Sequence, residues 1–329
     1  MKPKVFISQF MPAQGVELIR QHCDVDYHDA TALSRRDFLD RAREADGLVV
    51  FMTDSVDAAM IEECPKLKVI ASFGKGFDNI DIGACHRRNI VVTVNIDELT
   101  HSTADMAIGL LLAVSRNILP SDRAIRKAEF RGWHPTHFLG NDFHHSRLGI
   151  FGLGAIGQAI ARRARGFDVK VSYYDPVRKP DSEEKLDLTF MDKDRLLSEN
   201  DFIILAVGLC AETIRLIGRQ ELAIIKPGSY LINIGRGSVV DESAVGEALR
   251  SGKLRGYAAD VFAFEDALSP DKPGYIPDEL LTVRDNTVFT SHLGTGTIEA
   301  RNNLAVSTAL QLVSALHGES PAGIVNKLS

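Results

Sequence analysis

The chain has 329 residues, 45% hydrophobic and 25% charged, with a formal net charge of -6. That length allows two domains with separate cores, and the balance is that of an ordinary folded protein. The acidic balance gives no reason to expect nucleic acid or an anionic membrane as partner, and no apolar run approaches bilayer-spanning length.

Met1-Lys2-Pro3-Lys4 leads into a strand rather than a secretory signal, so a cytoplasmic location is expected. Short apolar runs at 5–7, 48–51, 67–72 and 90–93 read as strands, and 14–22 and 35–45 carry helical periodicity. This alternation predicts a parallel sheet with helices on both faces. Residues 100–119 read as one long apolar helix, buried nearly all round. The polar segment 131–145, with the only tryptophan, Trp133, is expected to be functional or an interface arm. Strands near 147–151, 169–174, 202–206, 229–234, 256–260 and 286–290 build a second sheet. A last helix near 297–317 is long enough to return to the first domain.

The fold class expected is α/β, with two doubly wound parallel-sheet domains. Residues 1–98 and 294–329 form a discontinuous, flavodoxin-like domain. Residues 99–293 form a Rossmann-type domain that includes a helix and arm at about 100–145. The cysteines, Cys23, Cys64, Cys85 and Cys210, lack CxxC or His-paired spacing, so reduced, mostly buried thiols are expected. His101, His134, His137, His144 and His145 show no ligand-like pattern with carboxylates, and no metal is expected.

The stretch SRLGIFGLGAIGQAIARRARGFDVKVSYYDP, residues 146–176, is the most informative. A strand enters Gly152, Gly154 and Gly157, a helix follows, and a second strand ends on Asp175. Gly152 suits a tight turn, Gly154 a close approach to pyrophosphate, and Gly157 close packing of helix on strand. The first helical residues, Ala155 and Ile156, offer N–H groups to phosphate, and Asp175 stands where an adenosine-ribose acceptor belongs. A dinucleotide, NAD, is expected; Asp175 disfavours the 2′-phosphate of NADP. Arg178 and Lys179, which follow closely, read as solvated loop cations.

Three later strands, counted as the fourth, fifth and sixth of the sheet, each deliver a reactive residue past the carboxyl end. SYLINIGRGS delivers Arg236, GYAADVFAFED delivers Asp260 and Glu265, and TVFTSHLGTG delivers His292. A guanidinium suits an anionic substrate, an imidazole titrates near working pH, and a carboxylate can orient that ring.

With GFDNIDIGAC at 76–85, GLGAIG at 152–157, NIGRGSVVDESAV at 233–245 and NTVFTSHLGTGTIEAR at 286–301, these motifs resemble the D-2-hydroxyacid dehydrogenases over nearly the whole length. The resemblance implies a catalytic set of Arg236, Glu265 and His292. It also implies cofactor contacts at Thr103, Val207, Gly235 and Asp260, a cleft between domains, and a homodimer joined through the helix and arm. Lys75 between two glycines, Met52, RGWHPT with Trp133, and an Asp-Lys-Pro stretch at 271–273 resemble the phosphonate (phosphite) dehydrogenase branch. Phe138 and Gly235 depart from it. That branch implies substrate contacts from Lys75, Gly76, Met52 and Trp133, with Arg301 adding positive charge. A second cation such as Lys75 would suit a dianion by a few kcal/mol at an effective dielectric of ~20. The alternative is an NAD(P)-dependent 2-hydroxyacid dehydrogenase acting as a glyoxylate or hydroxypyruvate reductase. More remote is an NAD-sensing co-repressor that binds partner peptides, to which the short Lys-Leu-Ser end offers little for docking.

Overall fold

The computed structural model describes residues 2–30, 33–269 and 271–326; the Lys-Leu-Ser end lies outside the described residues. These residues form two all-parallel sheets, one of five strands and one of seven, in two compact units. The chain is α/β, as expected.

The first unit comprises Met1–Leu99, Glu265–Pro270 and Thr295–Ser329. Its strands are β1 (Lys4–Ile7), β2 (Asp24–Tyr27), β3 (Gly47–Val50), β4 (Val69–Ser72) and β5 (Val91–Thr93), in the order 2-1-3-4-5. GLVV of β3 and VIAS of β4 are buried throughout, as strands covered on both faces must be. The helix Ile298–Leu316 starts where the Thr297 side chain accepts from Ala300 N at 3.1 Å. It buries Leu304, Ala305, Thr308 and Leu312. Asn95 Nδ2 donates to Thr308 Oγ1 at 2.9 Å, and Asn326 bonds both Val92 N and Ile90 O at 2.7 Å. The end of the chain is thereby tied to β5.

The second unit comprises Thr100–Phe264 and Asp271–Gly294. Its strands are β6 (Arg147–Phe151), β7 (Lys170–Tyr174), β8 (Leu188–Phe190), β9 (Phe202–Leu205), β10 (Ser229–Asn233), β11 (Leu254–Ala259) and β12 (Thr287–Phe289), ordered 12-11-10-9-6-7-8. Counted within the unit this is 3-2-1-4-5-6 with a seventh strand added, and the order reverses between β6 and β9. Phe202 and Tyr230 stack at 5.1 Å across its core.

Several expectations are corrected. Each sheet has one strand more than expected: β2 in the first is only half-buried, and β8 in the second is a three-residue edge strand with too few apolar positions to register. Arg236, Asp260 and His292 therefore follow the fifth, sixth and seventh strands. The long helix is two: Thr100–Ser115, then a left-handed Asn117 (φ 52°), then Ile118–Arg126. Asn117 tolerates that conformation and donates to Phe138 O and Leu139 O. Nor is the first helix buried all round. It packs one face inward, while His101, Asp105 and Gly109, four residues apart, are exposed. His144 and His145 do have a carboxylate neighbour: their donor atoms and that of Asp168 lie within 4.8 Å of one another. Parallel pairing of β6 with β7 brings the two entering loops together. Among the described residues no helix is long and apolar enough to cross a membrane.

Candidate active site

The glycine-rich turn leaves β6 at the point where the strand order reverses. Gly152 has φ 86°, and a Cβ there would lie 2.7 Å from Ala206 O, so both conformation and space demand glycine. A Cβ on Gly157 would lie 2.1 Å from Gly152 O, which lets the helix Ala155–Ala164 start directly against the turn. Gly154 is exposed, with nothing within 4 Å of an added Cβ. The first-turn N–H groups of Ala155, Ile156 and Gly157, which a helix cannot satisfy itself, follow it. Gly235 lies against Val207, where its Cβ would come within 2.4 Å of the Val207 carbonyl.

Asp175 ties this turn to the end of β7. Its Oδ2 accepts from Leu153 N at 2.9 Å and Lys179 Nζ at 3.0 Å, and Oδ1 from Val177 N at 3.3 Å. Burial raises its pKa, but these three donors outweigh burial and hold the carboxyl below its ordinary range. Of the two expected solvated loop cations, Arg178 is exposed and Lys179 is partly buried. Lys179 is held by Asp175, and Arg178 pairs with Glu183. An open glycine turn, first-turn N–H groups and an ionised carboxylate with acceptor capacity to spare fit a dinucleotide.

The turn carrying His292 is built on Asp260, which is 2% exposed. Asp260 Oδ1 accepts from Thr290 Oγ1 at 2.6 Å and Leu293 N at 2.7 Å, and Oδ2 from Gly294 N at 2.7 Å. His292 itself sits at φ 56°, a left-handed conformation that costs a non-glycine residue about 1–3 kcal/mol. Its N–H donates to Asp260 O at 2.8 Å, so one residue fixes the turn through both main chain and side chain. Buried Thr103 adds a contact from Oγ1 to Gly294 O at 3.4 Å. Arg236 follows β10 on a turn held by buried Asn233, whose Nδ2 donates to Arg236 O at 2.9 Å and whose Oδ1 accepts from Gly235 N at 3.1 Å. Arg236 Nη1 donates to Gly235 O at 2.8 Å. Sequence reasoning passed over Asn233; a buried amide at the end of an apolar strand was the available signal.

The remaining predicted residues are distributed as follows. Glu265 closes the short turn Ala263–Glu265 after β11 and is half-buried. In the first unit, Lys75 Nζ donates to Ile96 O at 2.9 Å, and Gly76 O accepts from Ser72 Oγ at 3.0 Å. Met52 Sδ would lie 3.9 Å from a Cβ on Gly74, so Met52 shares a neighbourhood with the Lys75 loop. Arg301 lies in the first turn of the helix Ile298–Leu316. Trp133 belongs to the second unit, on an arm exposed throughout 131–142, and is 85% exposed.

Residues 108–294 match the model of the D-isomer specific 2-hydroxyacid dehydrogenase NAD binding domain. The chain is 42% identical over 332 residues to a glyoxylate reductase of Thermococcus litoralis, covering 99% of this chain and 98% of that protein. D-lactate dehydrogenase from Aquifex aeolicus, solved with NAD and lactic acid, superposes with a TM-score of 0.86 at 26% identity, covering 99% of this chain and 100% of that one. An NADPH-dependent glyoxylate/hydroxypyruvate reductase from Sinorhizobium meliloti, solved with NADP and malonate, gives 0.84 at 27%, covering 99% and 97%. The chain belongs to the D-isomer specific 2-hydroxyacid dehydrogenase family. It is an enzyme, an NAD(P)-dependent dehydrogenase, which leaves the co-repressor alternative without support; the phosphonate branch likewise gains none from these relatives.

Proposed function

We propose that this dehydrogenase interconverts a small 2-keto acid with its D-2-hydroxy acid, glyoxylate being the first substrate to test. The observation that carries the reading is the Asp260-clamped turn, which commits a strained backbone to presenting one imidazole, His292. The full-length relative named a glyoxylate reductase supports the substrate class.

In this reading Gly152, Gly154, Ala155, Ile156, Gly157 and Asp175 hold the dinucleotide, with Val207 and Gly235 beside it. When bound, it supplies or accepts a hydride at the substrate carbon. Arg236 binds the substrate carboxylate with its planar guanidinium, which orients the neighbouring carbonyl. His292, protonated, gives its proton to the carbonyl oxygen during reduction and takes it from the hydroxyl in the reverse direction. Glu265 completes the catalytic set as its carboxylate.

Phosphite remains the second reading, favoured by one observation: Lys75 and Met52 share a neighbourhood, and the ammonium spends one of three donors on Ile96 O. Initial rates separate the two. Glyoxylate or hydroxypyruvate should oxidise NADH rapidly, while phosphite should yield no NADH from NAD; the reverse pattern overturns the 2-keto acid assignment. The reading also includes a homodimer formed through the helix Thr100–Ser115 and the arm, where Phe130, Trp133 and Leu139 are exposed apolar groups.

A further inference from the structure

Two cations follow the residue assigned to the adenosine ribose, and both are already engaged. Arg178 grips Glu183 as a fork: Nε lies 2.9 Å from Oε1 and 3.3 Å from Oε2, and Nη2 lies 2.8 Å from Oε2. Glu183 is the anchored partner, its side chain 14% exposed against 62% for Arg178. Tyr173 Oη donates to Glu183 Oε1 at 2.6 Å and accepts from Lys179 N at 2.8 Å, which locks the carboxylate to the end of β7. Phe190 lies under the guanidinium, 5.8 Å from ring centre to Cζ. Arg178 first, and Tyr173 second, hold the Glu183 carboxyl down to about 2, so it is charged at any working pH. Lys179 Nζ bridges Leu153 O at 2.9 Å and Asp175 Oδ2 at 3.0 Å.

Two positive and two negative groups thus cancel at the place where a coenzyme 2′-substituent is read. A 2′-hydroxyl needs one acceptor, and Asp175 has about four lone-pair sites with three in use. A 2′-phosphate needs cations, meets the Asp175 charge, and finds Arg178 and Lys179 taken. We propose that Glu183 is a specificity-determining residue that withholds Arg178 from the 2′-phosphate of NADP, while Asp175 withholds Lys179. This rests on the dinucleotide reading of the glycine turn.

Equilibrium titration calorimetry, without turnover, tests it. Wild type should bind NAD+ more tightly than NADP+. Glu183→Gln should bind NADP+ at least about tenfold more tightly, with NAD+ affinity within about twofold of wild type. Adding Arg178→Ala to that variant should abolish the gain. Arg178→Ala alone should leave NADP+ affinity unchanged, a result independent of whether Glu183→Gln folds. Unchanged NADP+ affinity in a folded Glu183→Gln, loss of NADP+ affinity in Arg178→Ala, or equal wild-type affinities would overturn the proposal. Failure of wild type to bind either dinucleotide would instead overturn the reading on which it rests.

Discussion

Asp260 shows how much a single buried carboxylate can organise. The family resemblance implied a cofactor contact for Asp260; in the structure both side-chain oxygens and the carbonyl hold the turn 290–294 as well. Hydrogen bonds to a charged group are worth about 1.5–3 kcal/mol each, and removing the acceptor strands three donors. Asp260→Ala should therefore cost about 3 kcal/mol or more in urea denaturation and lower kcat, and Asp260→Asn should recover part of both. This role was not legible in sequence. Asp260 and its partners are separated by 30 to 34 positions, and only the pairing of β11 with β12 brings them together. Gly152, Gly157 and Asp175 were legible, because their spacing is itself the signal of a strand-turn-helix-strand unit.

At the scale of elements, runs such as FIIL of β9 and SYLIN of β10 announced themselves by being apolar throughout. The missed strands lie at sheet edges: β2 reads DVDY and is only half-buried, and β8 has three residues. Edges need fewer apolar positions, so composition says less about them. The helices also decide which thiols can react. Cys64, beyond the helix Ala58–Glu62, and Cys85, within the helix Ile82–Arg87, are buried, and burial pushes their thiols up to about 11 and about 12. Cys23 is also buried and raised; Cys210 is exposed. Native protein should show one fast thiol towards an alkylating reagent and four after unfolding, the buried ones reacting at least about a hundredfold slower. Because the folded values lie above the unfolded value of about 8.5, this part of the stability is intact below that pH. It is lost as pH rises from there through about 11 and 12. Replacing Cys85 by Ala should flatten the alkaline fall in the urea midpoint.

For the whole molecule, the extent of the helix Ile298–Leu316 was legible from the length of one apolar pattern; it belongs to the first unit, where Asn326 bonds Val92 and Ile90. The break at Asn117 was not, because an asparagine inside an apolar run carries no warning that it will turn left-handed. The exposed stripe His101, Asp105, Gly109 gives the dimer proposal a direct check. An added side chain at Gly109 meets nothing in one chain, so Gly109→Arg should fold normally. It should run as a monomer in light scattering if the helix forms the interface; an unchanged dimer would place the interface elsewhere.

The central claim is that His292, held by Asp260, moves the proton in a 2-keto acid reduction. Its most direct test is His292→Asn, assayed with glyoxylate and NADH beside a calorimetric titration of NADH. The account predicts a fall in kcat of about 100-fold or more with NADH affinity unchanged. Retention of wild-type kcat in a folded variant would contradict it.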